Sequence, residues 1–364
     1  GSYDPATDKY ELERLGTSGT DYIAQSGITK GGDNTFFLQF TIDYARRFDK
    51  HNVGGMLLYT QREFKNNVLP SRNQGLSGRA TYDYDQRYLF EFNFGYNGTE
   101  RLGKGDRFEF FPAVSLGWLV SNEKFFEPLS DVVSSLKLRG SYGLVGSDET
   151  GPSNAPHFLY IDQVQVTGNG RPGFTTGENL NVSYYGPVVQ QWAVQNGGWE
   201  RVKKLDVGFD MELFRELSIT FDFFYDKRYN ILLHREAWPQ SLGFHEAKPW
   251  SNKGKVDNWG YEVSTNWRKQ FTKDLTVDFR GTFTYTQNKY IDVDEPIYPY
   301  VWQTATGKPL NRRNGYIAEG LFQSQEEIDN SPTQNLGSKP MPGDIKYRDV
   351  DGNGVIDSKD QVMI

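Results

Sequence analysis

Apolar and polar residues alternate along much of the chain with a period of two. Between Tyr88 and Asn97, one face carries Tyr88, Phe90, Phe92, Phe94 and Tyr96. The other carries Leu89, Glu91, Asn93, Gly95 and Asn97. Such alternation describes a strand with one apolar and one polar face. The same pattern sets Phe36, Leu38, Phe40, Ile42 and Tyr44 against Gln39, Thr41 and Asp43. It recurs at Leu205–Leu213, Leu217–Phe223, Tyr261–Trp267 and Leu275–Tyr285, and less regularly near 53–64, 74–84, 108–120 and 134–145. About ten strands are predicted. Helical periodicity is lacking; Gln325-Glu326-Glu327-Ile328 after Ser324 predicts one turn at most.

Strand length narrows the architecture. Several segments alternate over about 9 to 11 residues, the length of a tilted strand that crosses a bilayer, whereas soluble strands average about 5 to 6. The connections then sort by length. Those near Asp49, Asp85, Arg215 and Thr272 are short. Those at 65–72, 97–106, 146–199, 230–256 and 288–364 are longer. In an up-and-down barrel alternate connections lie on opposite sides of the membrane, with short periplasmic turns and long extracellular loops. The reading is therefore all-β, part of a large antiparallel transmembrane barrel. Its long segments are expected outside the cell and its short turns in the periplasm. Phe90, Phe92 and Phe94 should face lipid, and Glu91 and Asn93 the lumen. The connection 121–134 departs from this order, being of medium length where a short turn is due.

Composition changes the picture in a few places. The 364 residues carry a net charge of −7, which gives no basic footprint for nucleic acid. Cysteine is absent, which removes disulfides, thiolate-held zinc and thiol catalysis. Mean hydropathy is −0.67 and no apolar run approaches the roughly 20 residues of a membrane helix. Alternating strands would hide from such an average. No nucleophile–base–acid set stands out, so enzymatic activity is not expected. Gly168-Asn169-Gly170-Arg171-Pro172-Gly173 matches G-x-G-x-x-G, but a dinucleotide site needs a strand before it and a helix after it.

One motif carries specific chemistry. Residues 349–360 follow the twelve-residue calcium loop, with Asp349, Asp351 and Asn353 at positions 1, 3 and 5 and the Val355 carbonyl at position 7. Asp357 stands at position 9 and Asp360 at position 12, where a shorter reach than that of Glu weakens bidentate coordination. Gly354 supplies the turn at position 6. A structural Ca²⁺ is the expected occupant; no organic cofactor is implied. The long segments are also rich in aromatics. Trp192, Trp199, Trp238, Trp250 and Trp302 are candidates for stacking on cargo, against the alternative that they pack loops together.

Several stretches resemble the barrels of SusC/RagA-type TonB-dependent transporters of Bacteroidetes. They are Gly75–Gly98, Arg107–Trp118, Leu136–Gly146, Asn258–Glu262, Gly320–Glu327 and Pro342–Tyr347 running into the acidic loop. The resemblance implies residues 1–364 of a partial barrel domain, with 22 strands in the whole. It also implies an outer-membrane location, a plug, and TonB-coupled import through an N-terminal region expected to lie outside this sequence. The implied partners are a SusD-like surface lipoprotein, the TonB complex, the lipid bilayer, and a glycan or peptide cargo. A passive porin-like channel and a soluble carbohydrate-binding β protein remain as alternatives. The chain is expected to be a piece of a longer protein.

Overall fold

A computed structural model of the chain describes residues 2–11, 32–65, 69–149, 157–166, 172–194, 197–238, 241 and 248–364. The G-x-G-x-x-G match at 168–173 lies largely outside them. Ten long strands form one antiparallel sheet in which every strand pairs with its neighbours in sequence. They are β1 (Asn34–Phe48), β2 (His51–Lys65), β3 (Ser71–Tyr84), β4 (Tyr88–Thr99), β5 (Phe108–Leu119), β6 (Val133–Ser147), β7 (Glu200–Leu213), β8 (Leu217–His234), β9 (Trp250–Gln270) and β10 (Thr276–Asp292). Strands β1 and β10 are the two free edges, so the sheet is an open wall.

The register turns the sequence alternation into two faces. One row across the wall reads Tyr44, Gly55, Ala80, Phe92, Val114, Tyr142, Leu205, Tyr225, Trp259 and Gln287. The next reads Asp43, Met56, Arg79, Asn93, Ala113, Gly143, Lys204, Asp226, Asn258 and Asn288. Because side chains alternate strictly along a strand, each row belongs to one face. The first face is aromatic and aliphatic, the second polar.

Several strands run past the alternating segments. The ladder carries β8 to His234, begins β9 at Trp250 and extends β10 to Asp292. Residues 230–234, 250–256 and 288–292, expected in loops, are therefore paired strand. The reason is that the ladder is made by backbone groups. Polar residues such as Asp226, Lys227 and Arg228 erase the apolar signal without interrupting it. The opening residues also differ from a plain loop. Ser2–Asp4 pairs with Lys9–Glu11, and the Asp4 carboxylate accepts from the Ala6 amide and the Thr7 hydroxyl in the turn.

The antiparallel order places the turns at Asp49, 85–87, 214–216 and 271–275 on one end of the wall, together with the connection 120–132. The longer connections share the other end, where a small core gathers. Leu102, Phe111, Leu159, Val194, Trp199, Leu232 and Trp250 form one buried cluster, with Leu144 packed against it. After β10 the chain makes a unit of short pairs: Asn314–Gly315 with Val362–Met363, Ala318–Leu321 with Ile345–Tyr347, and Thr333–Gln334 parallel to Val355–Ile356. Its single-turn helix, α1 (Gln325–Asp329), is capped by Ser324, which accepts from the Glu327 amide.

Candidate functional site

The acidic loop is built by side chains that satisfy its own backbone. Asp349 accepts from the amides of Gly352 (2.8 Å) and Asn353 (3.3 Å) through Oδ1, and of Gly354 (2.8 Å) through Oδ2. Glycine is required at 352 and 354, where φ is +74° and +82°. Asp360 is fully buried. It accepts from Val350 (2.7 Å) and Asp351 (3.3 Å) through Oδ1 and from Asp357 (2.8 Å) through Oδ2, closing a capping box on the turn 358–360. The amides of Gly354, Gly352 and Asn353 hold the Asp349 carboxyl below the usual carboxylate range.

Asp349, Asp351 and Asp360 each bring a carboxylate oxygen within 4.8 Å of the others. Three hard oxygens so close match the donor chemistry of Ca²⁺. Asp357 stands outside that group. One of its oxygens accepts from the Lys359 amide (2.7 Å), and the Lys359 ammonium lies 3.7 Å from the other. The Asn353 side-chain oxygen accepts from the Val355 amide (2.7 Å). The loop is tied to its surroundings through backbone bonds from Thr333 to Gly354 and from Asn335 to Ile356.

The candidate tryptophans do not converge. Trp199 and Trp250 belong to the buried cluster at the long-connection end. Trp199 packs edge-on against Phe111 at 5.3 Å and donates to the Arg107 carbonyl. Trp250 lies against His234 at 3.7 Å between ring centroids. Trp192 is exposed, and Trp238 sits under the Arg235 guanidinium at 5.2 Å. Trp302 alone reaches the acidic loop. It stacks on Tyr300 at 4.6 Å and donates to the Lys359 carbonyl at 2.7 Å. Tyr300 is a loop neighbour that the spacing of the motif does not reveal. The Asp351 carboxylate beside its hydroxyl pushes its pKa up.

The polar face holds a second cluster. Arg139 on β6 lies 3.5 Å from Asp206 and 3.3 Å from Asp210 on β7, and 2.6 Å from Asp222 on β8. It reaches Asp222 across Gly208, its register partner. A Cβ at 208 would stand 2.4 Å from the Asp222 oxygen and 2.3 Å from the Phe221 carbonyl, so only glycine leaves the passage open. Arg79 likewise meets Asn93 (3.1 Å) and Glu91 (3.5 Å). The signal for these contacts was present as charged residues at polar positions of the alternation, but their pairing depends on strand order.

An open, sequentially paired sheet with one apolar and one polar face has the form of a sector of a large up-and-down β-barrel. The chain matches the family model described as "TonB dependent receptor-like, beta-barrel" over residues 1–336, and it belongs to that family of outer-membrane proteins. It is 28% identical over 301 residues to the TonB-dependent receptor SusC of Bacteroides thetaiotaomicron, covering 79% of this chain and 27% of the relative. It is 30% identical over 295 residues to TonB-dependent receptor P39 of Formosa agariphila, covering 79% of this chain and 26% of the relative. Among solved structures, that of the RagAB peptide transporter superposes with a TM-score of 0.67 at 17% identity, over 91% of this chain and 37% of that one. The chain thus spans about a quarter of the curated relatives it matches. Those relatives are receptors and transporters rather than enzymes.

Proposed function

We propose that this chain is the barrel portion of an outer-membrane importer of oligosaccharides or oligopeptides that works with a SusD-like surface lipoprotein and is driven through TonB. The observation that carries this reading is the division of the ten-stranded wall into two faces. The apolar face, with Phe92 and Val114, meets lipid. The polar face, with Arg79, Asn93 and the Arg139 cluster, lines the lumen. The short-turn end lies in the periplasm, and the end bearing the buried cluster and the C-terminal unit lies outside the cell, where the lid and cargo meet the barrel. Purifying the full-length protein from outer membranes tests this. A lipid-anchored surface protein that co-purifies, with no steady conductance in planar bilayers, supports the importer. An unaccompanied protein with open conductance would make it a passive channel, and partition into the aqueous phase of a detergent separation would make it a soluble β protein.

Within the same reading the loop 349–360 holds Ca²⁺, with Asp349, Asp351 and Asp360 as the carboxylates best placed to supply oxygens. The ion would neutralise three close negative charges and stiffen the segment that Tyr300 and Trp302 lean on. Extracellular calcium modules work at dissociation constants of about 10⁻⁴–10⁻³ M. A high-resolution map in millimolar Ca²⁺ decides the matter. Six or more oxygens at about 2.3–2.6 Å around one peak support the site. An ordered loop with an empty centre, unchanged by chelator, leaves a self-capped turn.

A further inference from the structure

The connection 120–132 breaks the order of the short-turn end. Its neighbours at that end turn within a few residues, as at Asp49 and 85–87. This one instead folds into two short helical turns, Val120–Asn122 and Lys124–Leu129. It is also held firmly. Glu123 accepts from the Tyr88 hydroxyl (2.7 Å), the Trp118 indole (3.2 Å) and the Arg87 guanidinium (3.2 Å). Asn122 donates to the Gln86 carbonyl (2.7 Å), and Phe126 is buried beneath the turn. The Tyr88 hydroxyl bond holds the Glu123 carboxyl below its usual range, so the anchor stays charged at neutral pH.

On this fixed support the segment presents apolar side chains to the outside. Phe125 is 64% exposed, Leu129 53% and Val132 48%. Lys124 precedes them, and the exposed polar residues Glu127, Ser130 and Asp131 stand between them. Apolar side chains fixed in water by such an anchor have no gain to offset their exposure. The patch continues the apolar face of the wall. Tyr88, Trp118 and Leu138 are paired neighbours on that face. Phe125 meets the Trp118 ring edge-on at 6.4 Å. Tyr84 and Tyr88 stack beside them under Arg87, an arrangement of aromatic rings and cations suited to the boundary between hydrocarbon and headgroups.

We infer that residues 120–132 form an interfacial foot, with Phe125 and Leu129 seated in the bilayer boundary at the short-turn end. Its partner is the phospholipid surface itself. The foot extends the apolar belt sideways over a longer stretch than the single exposed rings Phe214 and Phe271 at neighbouring turns. This rests on the apolar face being the lipid face, and the test separates the two claims. Spin labels are placed singly in the full-length protein in phosphatidylethanolamine-phosphatidylglycerol nanodiscs, at Phe125→Cys, Leu129→Cys, Phe92→Cys and Thr272→Cys. Collision with oxygen reports lipid, and collision with a nickel chelate reports water. The expected result is oxygen-dominated collision at 92, 125 and 129, and chelate-dominated collision at 272. Chelate-dominated collision at both 125 and 129 with oxygen-dominated collision at 92 overturns the foot and leaves the barrel reading standing. Chelate-dominated collision at 92 as well overturns both.

Discussion

The ten-stranded wall and the C-terminal unit after Asp292 are ordered by opposite means. The wall has long backbone ladders and few buried side chains; β1 is exposed along its whole length. The C-terminal unit has short ladders but closes on itself, with Phe322, Ile356 and Asp360 almost fully buried. Its loop donors are satisfied by carboxylates of the same loop, five to ten residues away. In the wall, most apolar side chains stand on an open face of the sheet, without a second layer of this chain over them. In the C-terminal unit the partners lie within the chain. A substitution in the wall is therefore judged by the medium it faces, and one in the loop by the amide it abandons.

The largest expected effect tests the medium. In the full-length protein folded into liposomes, Phe92→Lys should cost about 2–4 kcal/mol near the bilayer midplane, and Asn93→Lys far less. Equal losses in denaturant titration would erase the distinction between the faces. Within the wall, Gly208→Ala should cost about 1–3 kcal/mol, because the new Cβ meets the Phe221 carbonyl and displaces Asp222 from Arg139. Full stability on thermal unfolding would show that the Arg139 bridge is dispensable.

In the loop, Asp360→Ala strips acceptors from the Val350, Asp351 and Asp357 amides and should cost about 1–3 kcal/mol locally. Hydrogen exchange should speed at those amides and stay unchanged in β3 to β5; a change spread over the wall would mean the two regions unfold together. Ser324→Ala at the cap of α1 should cost only about 0.5–1 kcal/mol, read from exchange of the Glu327 amide. The smallest effect is that of mild acid. Asp349 has its folded pKa lowered, so its contribution is complete above the unfolded value and is lost only as pH falls through the lower folded value. Exchange at Gly352 and Gly354, corrected for its intrinsic pH dependence, should be flat from neutrality to pH values near 5 and rise only below the ordinary carboxylate range. Loosening near neutrality would contradict this.

Legibility in sequence followed the same division. Tyr88 to Asn97 announced β4 because a half-exposed strand writes its two environments residue by residue. Ser324 and the acidic run after it announced α1, and the Asp, Asn and Gly spacing announced the turn at 349–360, since those contacts span a few positions. The place of Trp199 was hidden, because its packing on Phe111 joins residues far apart in the chain. So was the bridge from Arg139 to Asp222, which needs β6, β7 and β8 in order before the charges meet. The ends of β8 and β9 were hidden for another reason: backbone pairing persists where side chains cease to alternate.

The seam between β6 and β7 sets how such a wall can assemble. Strands β1 to β6 form one run of hairpins and β7 to β10 another, and each run can zip locally, with little loop entropy to overcome. Joining them means closing a loop on the order of 50 residues, the one expensive closure in the sheet. The buried cluster straddles that seam. Leu102 and Phe111 come from the first run, Leu159 and Val194 from the connection, and Leu232 and Trp250 from the second. The cluster is therefore a clasp: its burial rewards the slow step and favours the order in which the second run docks beside β6.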